Sequence, residues 1–250
     1  MWKSICASVV GTSHLDSGLP CQDDCYVNNF NDENCSGLIC VVADGAGSAT
    51  NGGIGAELAC VVCGSAIENT MAEKDISSIN NEDIIGWIKE IQVSIKQLSE
   101  SHELKARDYA CTLLGAVINK TTAIFFQIGD GSIVASSNDI QGVVFWPESG
   151  EYANTTYFVT DDNALSNLQI SIVETDISKV ALFTDGLQRL ALSFETMTPH
   201  FPFFEPMFRA LSKANQTESE KLQYQLSEYL NSPVINERTD DDKTLVLACI

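Results

Sequence analysis

Three times in this chain an apolar run ends in Asp-Gly: Leu38 to Ala43 before Asp44-Gly45, Phe125 to Gly129 before Asp130-Gly131, and Val180 to Thr184 before Asp185-Gly186. A further acidic run, Asp240-Asp241-Asp242, leads into the apolar segment Leu245 to Ile250, and Asp23 stands in the early Gln22-Asp23-Asp24. Each apolar run reads as a strand, so an acidic group stands at each strand end. If those ends converge at one edge of the sheets, the carboxylates repel one another too strongly to ionise together without cations. The donors are oxygens, which suit hard ions such as Mg2+ and Mn2+, whereas Cys or His would favour zinc or copper. Asp-Gly between apolar runs is also a common hairpin signal. At Asp44, however, the stretch Gly45 to Gly53 flows into a helical segment, so a two-residue hairpin does not explain that site. Glycine after aspartate lets a backbone group approach a metal or a phosphate closely.

The positions of these carboxylates matter because the chain carries 34 Asp plus Glu against 14 Lys plus Arg, a formal charge of -20. That sign excludes tracking of a phosphate backbone or an anionic membrane surface, so neither nucleic acid nor membrane is an expected partner. Residues 1–250 show no repeat and no long linker, and one domain is the expectation. Met1 to Val10 does not read as a signal peptide. Apolar runs such as Leu38 to Ala43 fall far below the ~18 to 20 residues of a membrane span. Nine cysteines, several inside apolar runs (Cys40, Cys60, Cys63, Cys111, Cys249), behave as small hydrophobes and point to a reducing, cytoplasmic setting. Cys60 and Cys63 have no second matching pair and read as core, not as a zinc site.

Periodicity predicts helices from Ile54 to about Met71 and from Glu82 to about Ser101. In the second, Ile84, Ile88, Ile91, Ile95 and Leu98 share one face and Asn81 caps the start. A C-terminal pair is predicted at Pro202 to Lys213 and Glu218 to Leu230, the latter opened by a Thr217/Glu220 capping box and closed before Pro233. Strands are predicted at Ile5–Val10, Leu38–Ala43, Thr112–Ile118, Ala123–Ile128, Ser132–Ser136, Gly142–Phe145, Val180–Thr184 and Leu245–Ile250. The short polar joins Asn119 to Thr122 and Ser137 to Ile140 make the centre an antiparallel meander covered by the long helices. The expected class is α+β, in layers.

In chain order, Gln22-Asp23, the run Val42 to Gly47 with its Asp44-Gly45, the segment Cys111 to Gly115, the run Ile128 to Gly131, the run Phe183 to Leu187, and Asp241 to Thr244 resemble successive motifs of the metal-dependent protein phosphatase family, type 2C (PPM). Gly11 to His14 with Leu19 to Asp23, and Glu151 to Phe158, resemble a divergent bacterial branch of it. The resemblance spans nearly the whole chain. It implies a four-layer α-β-β-α sandwich, two antiparallel β-sheets flanked by helices, with metals at one edge. It also implies a serine/threonine protein phosphatase that hydrolyses phosphomonoesters at a two-metal Mg2+ or Mn2+ centre. Carried over residue by residue, Asp44 would bridge the two ions. Asp185 and Asp241 would complete the first, Asp23 and the Gly45 carbonyl would serve the second, and Asp130 with Asp185 would correspond to a third, weaker position. Asp44, Asp185 and Asp241 would thus be catalytic through the metals. Ions roughly 3.5 to 4 Å apart share a water, lower its pKa and aim the hydroxide in line with the leaving oxygen. The implied partners are a phosphorylated protein and a cognate serine/threonine kinase.

The chain departs from the family pattern in places. Many members place an arginine five residues before the early aspartate; here that position is Gly18, and His14 and Arg189 are the candidates for gripping the substrate phosphate. Ala46 stands where some members carry a histidine, and Ser132 to Lys179 is short for a region that often includes a flap. The missing arginine favours an alternative, a pseudophosphatase that binds a phosphoprotein or kinase; retention of Asp23, Asp44, Asp185 and Asp241 argues against it. A nucleotide cradle at Gly45 to Gly52 fits poorly, because Thr50 occupies the place of a third glycine and no Gly-Lys-Ser/Thr follows.

Overall fold

The computed structural model describes residues 1–31, 36–137, 140–147 and 156–250. The elements run β1 (Lys3–Val9), α1 (Thr12–Ser17), β2 (Asp23–Asn31), β3 (Ser36–Asp44), α2 (Gly52–Glu73), α3 (Asn81–Ser101), β4 (Leu113–Asn119), β5 (Ala123–Ile128), β6 (Ser132–Ser137) and β7 (Ile140–Val143). They continue with β8 (Gln169–Val173), β9 (Lys179–Phe183), α4 (Gln188–Ala191), β10 (Leu192–Ser193), β11 (Thr198–Pro199), α5 (Phe201–Lys213), α6 (Gln216–Leu230), α7 (Pro233–Asn236) and β12 (Lys243–Cys249). One antiparallel sheet has the order β1-β12-β9-β6-β7 and the other β2-β3-β4-β5-β8; β10 and β11 form a small separate pair.

The two sheets lie face to face between helical layers, the expected α-β-β-α order. The alternation of β3 shows how: Ile39, Val41 and Ala43 pack in one core with α2 and α3, while Leu38, Cys40 and Val42 pack against Leu182, Val246 and Ala248 of the other sheet. Because both faces are covered, the strand is apolar throughout and shows no polar alternation. In α3, Ile84, Ile88, Ile91 and Ile95 are buried as their spacing predicts, and Leu98 packs at the rim of the same core. Phe203, Phe204, Phe208 and Leu211 of α5 cover the first sheet together with Leu226 and Leu230 of α6. Leu182, fully buried between the sheets, gives a test of this layering: Leu182→Ala should cost about 2–5 kcal/mol, read as a lower urea midpoint at unchanged slope.

Several expectations need correction. The cap of α3 is Asn80, one residue earlier than predicted: its side chain accepts from the Glu82 N–H (2.8 Å) and Asp83 accepts from the Asn80 N–H (2.9 Å). The box that opens α6 is Asn215 with Glu218, not Thr217 with Glu220. The central meander is interrupted. β4 and β5 do form a hairpin, with Asn119 Oδ1 accepting from the N–H groups of Thr121 (2.9 Å) and Thr122 (2.7 Å), but at Asp130-Gly131 the chain crosses to the other sheet, where β6 pairs with β9. Strands β2 and β8 and the short α1 were not predicted. Residues 138–139, in the second polar join, and 151–155, in the Glu151 to Phe158 motif, lie outside the described residues. Cys60 and Cys63 are buried core residues, and the eight described cysteines are free thiols. Among the described residues no helix is long and apolar enough to cross a membrane.

Candidate active site

The site begins with a strand register. β2 and β3 pair so that Asp23 stands directly opposite Asp44, a placement of like charges that destabilises a sheet unless something intervenes. Asp23 is 7% exposed. The end of β3 is pinned by Thr112: its Oγ1 accepts from the Asp44 N–H (3.0 Å) and its N–H donates to the Asp44 carbonyl (2.8 Å). From the other sheet, fully buried Thr184 follows β9; its hydroxyl donates to Asp23 Oδ2 (2.8 Å) and accepts from the Thr244 N–H (3.0 Å). One hydroxyl thus fastens the starts of β2 and β12, and with them the two sheets, at this edge. Asp185 comes next, opening a 3-10 turn (Asp185–Leu187) that runs into α4.

The acidic run before β12 divides its labour. Asp242 is 3% exposed; its Oδ1 accepts from the Gly11 N–H (2.6 Å), and its Oδ2 accepts from the Gln22 N–H (2.5 Å) and contacts His14 Nδ1 (2.9 Å). It ties the segments that carry Gly11, His14 and Gln22 to the start of β12. Asp241, at the exposed rim, is the neighbour whose charge acts on Asp44 and Asp185. Two glycines permit the close approaches involved. A Cβ at Gly186 would lie 2.1 Å from the Asp242 carbonyl oxygen, and one at Gly45 would lie 2.3 Å from the Gly52 carbonyl carbon. Gly186→Ala should therefore displace the Asp241-Asp242 segment, costing about 1–3 kcal/mol; a differential-scanning measurement should show Tm lower by roughly 2–12 °C for a chain of this size.

None of the three Asp-Gly pairs closes a hairpin. Asp44-Gly45 enters the loop before α2, Asp130-Gly131 is the crossing between sheets, and Asp185-Gly186 enters the turn before α4. Asp130 Oδ2 accepts from the Thr156 hydroxyl, and the Asp130 carbonyl accepts from Gln188 Nε2. Asp130, Asp185 and Asp241 line one cavity of about 580 Å³ with Arg189 and Arg238. The Gly45 N–H donates to the Gln22 carbonyl (3.0 Å), beside Asp23.

Burial sets the electrostatics. It pushes the Asp23 carboxyl up to about 7, against the hydrogen bond from Thr184. Asp185 is also pushed up to about 7, first by burial and then by the charges of Asp130 and Asp241. Asp44 is held well above the usual carboxylate range by burial, with Asp23, Asp185 and Asp241 adding to the effect, and Asp241 is raised by partial burial. Asp23 Oδ1 and Asp185 Oδ1 are buried without a hydrogen-bond partner. Among the described residues no three His, Cys, Asp or Glu side chains form a ready-made coordination group. Two orphaned buried carboxylate oxygens, in an all-oxygen donor set whose charged forms are disfavoured, fit hard divalent cations.

Asp23, Asp44, Asp130, Asp185 and Asp241, drawn from five separate segments of the chain, therefore meet at one edge. His14 sits beside them with its Nδ1 engaged by Asp242, and Arg189 lies on the cavity wall. Thr112, Thr184 and Asp242 stand inside the motifs read from the sequence but carried no assigned role there, and Arg238 was not singled out. Their available signal was adjacency: Thr184 precedes Asp185, Asp242 follows Asp241, and Arg238 is a basic residue just upstream of the same acidic run.

Residues 10–231 match the family model described as protein phosphatase 2C, and the chain belongs to that family. It is 41% identical over 249 residues, 99% of this chain and 98% of the other, to serine/threonine-protein phosphatase 3 of Escherichia coli (strain K12). The fold is similar to the catalytic domain of the serine/threonine protein phosphatase PstP, solved in complex with two manganese ions (TM-score 0.63, 15% identity, 99% and 97% of the two chains). It is likewise similar to the serine/threonine phosphatase Stp1 of Staphylococcus aureus (TM-score 0.62, 15% identity, 100% and 95% of the two chains).

Proposed function

We propose that this protein phosphatase of the 2C family removes phosphate from serine and threonine side chains of proteins, using two Mg2+ or Mn2+ ions, with residues 1–250 acting as one cytoplasmic catalytic domain. The observation that carries the metal requirement is the Asp23–Asp44 cross-strand pair, a buried and a half-buried acid held opposite one another with an oxygen of Asp23 left unpartnered. Asp44, opposite Asp23 in the register and acted on by the charge of Asp185, would serve both ions. Asp185 and Asp241 would hold the first, Asp23 and the Gly45 carbonyl the second, and Asp130 with Asp185 a weaker third. Cations held by these residues would supply activation of a water nucleophile and neutralisation of charge on a phosphoryl group.

The remaining work belongs to the chain. Thr184 holds the second oxygen of Asp23 and leaves Oδ1 for a ligand; Thr112 fixes the strand end that presents Asp44. Asp242, with three donors on its carboxylate, fixes the backbone next to Asp241. The 41% identical serine/threonine phosphatase supports a phosphorylated protein as substrate. The test is hydrolysis of a phosphothreonine peptide: turnover should require added Mn2+ or Mg2+ and stop with EDTA. A folded protein that turns over nothing with any divalent ion would refute this reading and favour a binding role.

A further inference from the structure

We propose that Arg189 and Arg238 together bind the phosphate dianion of the substrate, supplying from the C-terminal half what the chain lacks at Gly18; this rests on the phosphatase reading above. The two residues come from separate elements. Arg189 lies on α4, just past Asp185, and Arg238 in the turn after α7, just before the acidic run. Both line the cavity walled by Asp130, Asp185 and Asp241. Both are exposed, and among the described residues neither forms an ion pair although acids share their cavity.

The other basic side chains nearby are already engaged. His14 Nδ1 contacts Asp242, and buried Lys243 donates to Asn236 Oδ1 (2.9 Å) and the Val10 carbonyl (3.3 Å). The guanidiniums are the cationic donors left for a ligand. Each presents planar N–H groups that can take two phosphate oxygens at once. Their backbones are fixed: the Arg238 N–H donates to the Ile235 carbonyl (2.9 Å), and Gln188, beside Arg189, is bonded to the Asp130 carbonyl. Because carboxylates also line the cavity, a dianion is repelled until cations neutralise them, so phosphate binding follows metal binding.

Calorimetric titration of inorganic phosphate into protein with Mn2+ tests this. Arg189→Ala and Arg238→Ala should each weaken phosphate binding about tenfold or more, the low end for a charge-assisted pair. The double variant should lose about a hundredfold, and Arg238→Lys should recover part of the single loss. The Mn2+-induced rise in Tm should be the same in all of them, which separates phosphate contact from damage to the fold or the metal centre. Phosphate affinity within twofold of wild type in the double variant would overturn the proposal, as would a loss that appears only together with loss of the Mn2+ response. Turnover of p-nitrophenyl phosphate by the wild type is recorded alongside. Its absence counts against the phosphatase reading while the titration still decides the arginines, and its presence with unchanged phosphate affinity in the double variant sinks the arginine pair alone.

Discussion

Replacing Asp44 by alanine should lower the turnover of a phosphothreonine peptide in Mn2+ by at least about a thousandfold, ~4 kcal/mol at 1.36 kcal/mol per decade. Asp44 stands opposite Asp23 in the strand register and is acted on by the charges of Asp185 and Asp241 as well, so its loss removes a group that neighbours both halves of the cluster. The same substitution should not weaken the metal-free fold. It deletes a half-buried acid whose charged form is disfavoured by desolvation and by the charges of Asp23, Asp185 and Asp241, and so removes a source of like-charge repulsion as the cluster ionises. In EDTA the Tm of Asp44→Ala should equal or exceed that of the wild type, while the rise on adding Mn2+ should vanish. A variant with lower Tm in EDTA and an intact Mn2+ response would mean that Asp44 is a structural residue.

Removing the metal from the wild type should abolish activity and make stability strongly pH-dependent. Asp23 and Asp185 are raised to about 7 in the fold and Asp44 is held well above its usual range, against ~3.9 for an aspartate in the unfolded chain. The folded state therefore binds more protons across this window, and stability falls as pH rises from about 4 to 7. The contribution is fully present below the unfolded value and is lost as pH passes through the folded one. Divalent cations replace those protons, so the Tm gain from Mn2+ should be larger at about pH 7.5 than at about pH 5.5. At a hundredfold excess over Kd the gain is about 2.7 kcal/mol, roughly 5–10 °C for a chain of this length. Equal Tm shifts at the two pH values would contradict the proton–metal exchange.

Much of this was legible because the chemistry sits where apolar runs stop. Leu38 to Ala43 and Val180 to Thr184 mark central strands, buried on both faces, and their terminal aspartates stand out against them. Strand β2 escaped because Asp23, Asp24, Asn28 and Asn29 are residues that strands avoid; its place comes from pairing with β3 and from Tyr26 and Asn28 bonding to Glu68 of α2. The crossing at Asp130 read as part of a meander because a polar join between apolar runs looks alike whether the next strand pairs locally or with β9. Register, too, is a tertiary matter. Nothing local to Asp240-Asp241-Asp242 tells which carboxylate turns inward to Gly11, His14 and Gln22; that depends on contacts more than 200 positions away. Thr184 was hidden for the same reason, since its partners lie on two other strands.

Anomalous diffraction at the manganese edge, from crystals grown with Mn2+, tests the central claim most directly. The account predicts two strong peaks at the sheet edge with the Asp44 carboxylate between them, Asp23 on one side and Asp185 with Asp241 on the other. Peaks elsewhere on the surface, or none at this edge, would contradict it.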